Sequence, residues 1–513
     1  MNHIAKFLMF VLSAMIVCCG GGGSGTGTTS SSVPPTGRGL VLVPMGPSRI
    51  LPPKLLGASA EPHIEHLLED PAKRAAIQAT APGTLRFPGG SLSNYYDWRD
   101  GQLHFNPQPD SSSYYLFWAN LSATLALAHP NGIKVQDYAP FVTQVGADLI
   151  LDVNLETSTP ALQAAWFQDL ASRGLAPNLV ELGNEFYYAM LNDPHVIQKW
   201  PDEPTSMLVM QQFQQVLRPL AAPGAKFAVQ AAGAVLNVHS SATNAFSRRL
   251  LAWDKNLVPA PWFEAATIHL YPDMQSLQAQ PGGSDAFGLW KLLMGHMDAG
   301  IDRTIGDVAA RLPGKELWIT EWGAQSGLVA DSQGTLVDLI SPAMAAHVVT
   351  RAELSMLRHP EITRALYFDL SFNLGNPFQA YAPSASVWLP LPSTAILGWF
   401  HQAANDGSGY QRMVEQGGIP IATGSDFQES FLAIEGAEFL KGSNRTLILQ
   451  NASGEDRMLD ATFGGTRGIP ASVDLIQISS WNDKTKSAAQ IQHVPVSISV
   501  SVPAYSLLRI IWH

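Results

Sequence analysis

The chain has 513 residues, 46% of them hydrophobic and only 14% charged, with a formal net charge of −11 and no run of lysine or arginine. That length exceeds one compact domain and predicts two folded units around well-filled cores. The acidic balance excludes a polyanion such as nucleic acid as partner and suits a neutral substrate.

At the N-terminus, Lys6 precedes an apolar run from Phe7 to Val17, which ends at Cys18 and Cys19. The run is too short for a membrane-spanning helix, which needs about 20 residues, but it fits the core of a signal peptide. With the Gly/Ser/Thr-rich stretch that follows, it resembles a bacterial lipoprotein signal. Residues 1–19 are then the signal, Cys19 or Cys18 is the lipidation site and 20–37 is a tether. The expected location is the outer membrane, periplasm or cell surface; a plain secretory signal with a flexible tail is the alternative. Those two cysteines are the only ones, so the folded part has no disulfide and no cysteine metal site.

Eight apolar runs follow: 54–60, 84–88, 147–155, 179–184, 226–232, 266–271, 317–322 and 364–370. They are nearly continuous, as strands buried on both faces are. Between them lie patterns such as 160–175, 205–222 and 341–359, whose apolar residues recur every three or four positions. Strands alternating with helices predict an α/β fold, a (β/α)8 TIM barrel over 38–404. The stretch 89–146 reads as an aromatic-rich insertion. From 405 to 513 the sequence is β-rich and broken by Gly, Asn, Asp and Ser turns, which predicts a C-terminal antiparallel β-sandwich, with 39–44 a candidate extra strand.

Active sites of such barrels lie at the C-terminal ends of the strands. Taken in order, these ends carry Glu61, Arg86, Asn154, Asn184 with Glu185, His269 with Tyr271, Glu321 with Trp322, and Asp369. Glu185 on the fourth strand and Glu321 on the seventh would face each other across the mouth. Paired carboxylates suit cleavage of a glycosidic bond, one protonating the leaving oxygen and the other attacking or activating water. Asn184 can donate to a sugar hydroxyl, and Phe186, Tyr187, Tyr188 and Trp322 can stack on sugar faces.

The stretches LGNE (182–185), IHLY (268–271) and ITEWG (319–323) resemble the clan A retaining glycoside hydrolases. GASAE (57–61), LRFPGG (85–90) and YDWRDG (96–101) are similar to stretches of α-L-arabinofuranosidases, and the heparanase and β-glucuronidase family shares a related arrangement. The resemblance implies Glu185 as acid/base and Glu321 as nucleophile. It implies Tyr271 bonded to the nucleophile, Arg86 holding its charge from behind and Glu61 binding a substrate hydroxyl. Asn154, His269 and Trp322 join the expected substrate-binding set, as does Ser91, which stands where arabinofuranosidases usually have Asn. An acid/base needs a raised pKa, and the charge of Glu321 is the expected cause.

The expected activity is thus retaining hydrolysis of an extracellular or periplasmic polysaccharide or oligosaccharide, α-L-arabinofuranosidase-like first. β-Glucuronidase/heparanase-like or β-xylosidase-like hydrolysis and non-catalytic glycan binding are the alternatives. No cofactor and no metal is expected: His63 and His66 lack a third ligand at a recognised spacing, and no phosphate-binding glycine loop occurs.

Overall fold

The computed structural model describes residues 38–65, 67–105, 108–188, 193–233, 245–324, 328–330, 336–368, 370, 381–383, 388–425, 428–478 and 491–513. Cys18, Cys19, the tether and Asp369 lie outside them. Eight strands, β1 (Leu56–Ala58), β2 (Thr84–Phe87), β3 (Asp148–Val153), β4 (Leu179–Leu182), β5 (Lys226–Gln230), β6 (Ala265–Leu270), β7 (Glu316–Trp322) and β8 (Ile362–Tyr367), form a closed parallel barrel. Each pairs with the next, and β8 pairs with β1. Every apolar run of the sequence marks one of these strands, and the helices Pro160–Ser172, Glu203–Leu217 and Pro342–Met356 occupy the expected intervals.

The barrel is filled in layers. Ile150, Leu179, Ala228, Ala265, Trp318 and Leu366 form a closed apolar cluster, with the alanines making room for the indole. Two residues further along three of these strands stand Asp152, Glu181 and Thr320, all fully buried. Side chains two apart on a strand share a face, so a polar layer sits directly above the apolar floor.

The C-terminal region builds a short antiparallel pair, Pro420–Ala422 with Ser430–Leu432, and a sandwich of two sheets. Its strands are β9 (Gly409–Glu415), β10 (Ile434–Lys441), β11 (Asn444–Asn451), β12 (Arg457–Asp460), β13 (Ser472–Gln477), β14 (Ser499–Val502) and β15 (Ser506–Trp512). The larger sheet contains β9, β10, β11, β15 and β13 in that order, and the smaller pairs β12 with β14. Leu447, Leu449, Leu459, Val500 and Ile510 pack in the core of the sandwich. The chain also enters through it: Arg38–Leu40 pairs with β12 and Leu42–Pro44 with β9 before β1 begins.

One helix departs from its expected pattern. All fifteen residues of Pro342–Met356 are buried, including His347, Arg351 and Glu353, so no face is left for solvent. The sandwich covers what would be the polar side. Arg351 donates to Glu435 Oε2 (2.6 Å) and to the Leu432 carbonyl (2.9 Å), and Gln450 Nε2 donates to the His347 carbonyl (2.8 Å). Among the described residues no helix is long and apolar enough to cross a membrane.

Candidate active site

Two local devices present the glutamates. At the end of β4, Gly183 takes φ +78°, and a Cβ there would lie 2.3 Å from Phe186 Cζ. Glu185 itself has φ +53°, a left-handed conformation that costs a non-glycine residue about 1–2 kcal/mol. The turn is pinned from both sides. Gln230 accepts from Phe186 N (2.9 Å), and Asn94 brackets Asn184, donating to its carbonyl (2.8 Å) and accepting from its N–H (3.2 Å). In β7 the pairing with β6 shifts register: Ile268 faces Ile319, but His269 faces Glu321. Thr320 is the extra residue. A bulge breaks the strict alternation of faces, so both Thr320 and Glu321 reach the barrel interior.

Arg86 is the hub beneath the mouth. Its Nη1 donates to Glu321 Oε1 (2.5 Å), Nε to Glu181 Oε2 (2.7 Å), and Nη2 to both Asp152 Oδ2 (2.9 Å) and Asn184 Oδ1 (2.8 Å). Tyr271 Oη donates to Glu321 Oε2 (2.7 Å). The amide nitrogen of Asn184 is buried and has no partner among the described residues, so it retains a donor. His269 lies between the glutamates, with Nδ1 2.7 Å from Glu185 Oε1 and 3.5 Å from Glu321 Oε2. One oxygen of each glutamate and one nitrogen of His269 all lie within 4.8 Å of one another.

The surroundings drive the two carboxyls apart in acidity. Burial pushes Glu185 up; His269 opposes this, the facing Glu321 adds to it, and the net pKa is raised. The direction is the one the sequence led us to expect, but the leading cause is desolvation rather than the facing charge. Burial also acts on Glu321, yet His269, Arg86 and the Tyr271 hydroxyl outweigh it and hold that carboxyl below its ordinary value. For His269, burial is overcome by Glu321 and Glu185, and the imidazole is raised.

The other expected residues divide. Glu61 is 5% exposed, and a Cβ placed on Gly90 would fall 2.0 Å from its Oε1 and 3.7 Å from Glu321 Oε1, so its carboxylate belongs to the mouth. Ser91 is half-buried in the 3-10 turn Gly90–Tyr95. Asn154 serves as a loop anchor, donating to the Tyr96 carbonyl (2.9 Å) and Thr157 Oγ1 (2.8 Å) and accepting from Thr157 N (2.9 Å). The aromatic platform requires correction. Phe186 stacks on Trp200 at 3.8 Å, Tyr187 packs against Trp253 and Trp322 against Tyr367, leaving each at most 2% exposed. Their faces are turned to the core because that contact buries more ring area than an open mouth would. Tyr188 alone of the four is half-buried.

Asp152, Glu181, Thr320, Asn94 and Gln230 belong to the site and were missed in the sequence. For the first two a signal existed: an acid inside an apolar strand, two residues before Asn154 in one case and three before Asn184 in the other. Asp97, Asp100 and His104 also crowd together, but Arg99 pairs with Asp97 and His104 with Asp100. At Glu185 and Glu321, Arg86 already supplies positive charge to Glu321, and His269 fills the space between the two carboxylates.

No protein-family model matches the sequence, and no curated protein matches it. Among solved structures, the chain is similar to the GH51 arabinofuranosidase from Xanthomonas axonopodis pv. citri, at 15% identity and TM-score 0.61, over 91% of this chain and 97% of that one. A family 51 alpha-L-arabinofuranosidase from Bifidobacterium longum gives 13% and 0.63 over 92% and 98%. A 4-O-alpha-L-rhamnosyl-beta-D-glucuronidase from Fusarium oxysporum 12S gives 14% and 0.53 over 92% and 99%. At such identities the likeness is one of architecture, and it runs nearly end to end: the chain has the barrel-and-sandwich fold of these glycoside hydrolases.

Proposed function

We propose that the protein is a retaining glycoside hydrolase in which Glu321 is the nucleophile and Glu185 the acid/base. The observation that carries this is the pair of carboxylates from β7 and the end of β4, with oxygens within 4.8 Å and opposed pKa shifts. Retaining enzymes hold their carboxyl groups about 5–5.5 Å apart, too close for a water to work between them. Glu321 attacks the anomeric carbon while the bond to the leaving oxygen breaks and that oxygen takes the proton of Glu185. Water then attacks the glycosyl ester, Glu185 takes a proton from it, and the ester bond to Glu321 breaks. Asn184 donates to a hydroxyl beside the reacting carbon.

For the sugar, a neutral glycoside is favoured. Glu61, Glu185 and Glu321 stand at the mouth with Glu181 and Asp152 buried beneath it, and the only guanidinium among these groups, Arg86, is already bonded to three carboxylates. A uronate would find no free cation among these groups. An α-L-arabinofuranoside is the first choice, since the solved arabinofuranosidases share the fold over nearly their whole length.

Glu185→Ala should lose turnover of natural glycosides yet form the glycosyl-enzyme from an activated aryl glycoside, with added azide restoring release. Proton NMR of the first product formed by the unmodified protein should show the starting anomer. An inverted product rejects these roles.

A further inference from the structure

The polar layer under the mouth carries a continuous chain of hydrogen bonds whose direction can be assigned. Glu181, salt-bridged through Oε2 to Arg86 Nε (2.7 Å), is a carboxylate and can only accept. Its Oε1 receives the hydroxyl proton of Thr320 (3.0 Å). A threonine hydroxyl has one proton, so at its second contact, His269 Nε2 at 3.1 Å, Thr320 must accept. The proton on that side of the ring therefore sits on Nε2. In a neutral imidazole Nδ1 is then a lone pair, and it faces Glu185 Oε1 at 2.7 Å. Two acceptors cannot share that contact; a proton must lie in it.

We infer that Thr320 and Glu181 are positioning residues which fix neutral His269 as the Nε2–H tautomer, so that the His269–Glu185 contact holds the proton used in the acid step. The role in catalysis rests on the reading of Glu185 as acid/base; the tautomer does not. All four residues are held in place: Thr320 and Glu181 are fully buried and His269 is 3% exposed, while Glu185 comes from a pinned turn. The charged and titratable groups facing the pair are Glu321 from β7, Arg86 from β2, Glu181 from β4 at 4.0 Å from Nε2, and Tyr187, with Tyr271 acting through Glu321. The pair thus titrates as a unit, and the alkaline limb of the rate profile belongs to both groups.

The design gives Thr320 a specific test. Without its hydroxyl, Nε2–H loses the acceptor that Thr320 supplies, and the ring turns its proton to Nδ1, where it donates to the Glu185 carboxylate. That stabilises the ionised glutamate and lets the pair give up its proton at lower pH. In the full chain labelled with 15N histidine, two-bond proton–nitrogen spectra read the tautomer, and loss of a signal in His269→Gln identifies the ring. At a pH above the titration of the pair, the unmodified protein and Thr320→Ser should show Nε2–H, and Thr320→Val should gain Nδ1–H. With an aryl glycoside the protein turns over, the alkaline limb of kcat/KM should fall by about one pH unit in Thr320→Val and return in Thr320→Ser. A neutral Nδ1–H ring in the unmodified protein overturns the inference, as does an unmoved limb alongside a changed tautomer. Should Thr320→Val not fold, the spectra of the unmodified protein and Thr320→Ser decide it. Absence of turnover on every glycoside would sink the proposed function and leave the tautomer result standing.

Discussion

Gly90 meets the Glu61 carboxylate so closely that its missing side chain is part of the site. An alanine there would adopt φ +54° and bring Cβ to 2.0 Å from Glu61 Oε1. The backbone strain costs only about 1–2 kcal/mol, but the carboxylate must move by an ångström or more. Displacements of that size at a reacting centre cost on the order of 100-fold in rate. Gly90→Ala should therefore lose about that much kcat/KM while the thermal midpoint falls only slightly; equal activity would show that Glu61 does not touch substrate. At this scale the sequence was legible where a residue ends a strand, as Glu185 and Glu321 do, because the topology alone brings strand ends together. It misled where burial decides: Phe186, Tyr187 and Trp322 look like a sugar platform in one dimension, but their partners Trp200, Trp253 and Tyr367 are distant in sequence or on another strand.

Among the elements, the eight strands could be read because each is apolar on both faces, and the boundaries moved by only a few residues. The helix Pro342–Met356 was legible as an element but its burial was not, since its environment is set by the sandwich, which lies beyond it in the chain. Its Glu353 shows the result. Neither carboxylate oxygen has a hydrogen-bond partner among the described residues, and burial pushes the group up to about 8. The folded state therefore keeps a proton that the unfolded chain releases near its ordinary carboxylate pKa. Stability from this group is complete below that ordinary value and is lost as pH rises towards 8. Glu353→Gln cannot titrate, so the melting temperature of the variant minus that of the parent should climb by a few degrees between pH 4.5 and pH 8. A flat difference would mean that Glu353 ionises in place or has found a partner.

For the whole molecule, the buried charges between barrel and sandwich decide whether the two can be separated. Glu435 on β10 is fully buried and meets Arg351 (2.6 Å), Arg412 (2.7 Å) and Arg358 (3.5 Å). Removing one side of such a cluster leaves charges in apolar surroundings, which costs about 3–5 kcal/mol for a buried pair. A chain stopped after residue 404 would lose Glu435 and uncover the buried face of Pro342–Met356. It should aggregate or unfold, as judged by size-exclusion chromatography and circular dichroism. A soluble, fully active barrel would show that the interface is dispensable. The two-part architecture was legible from the change of rhythm near 405; the intimacy of the contact was not, because it depends on polar residues that look solvated until the sheet covers them.

The entry of the chain through the sandwich has a consequence in time. Pro44 pairs with Met413, a residue added to the chain some 370 positions later. At about 5–20 residues per second, a ribosome takes roughly 20–70 s to supply that partner. The barrel strands and helices are all made in the interval, so the Leu42–Pro44 segment must wait beside a nearly complete barrel with its edge unsatisfied. Among the described residues, the first to be made are among the last to find their place.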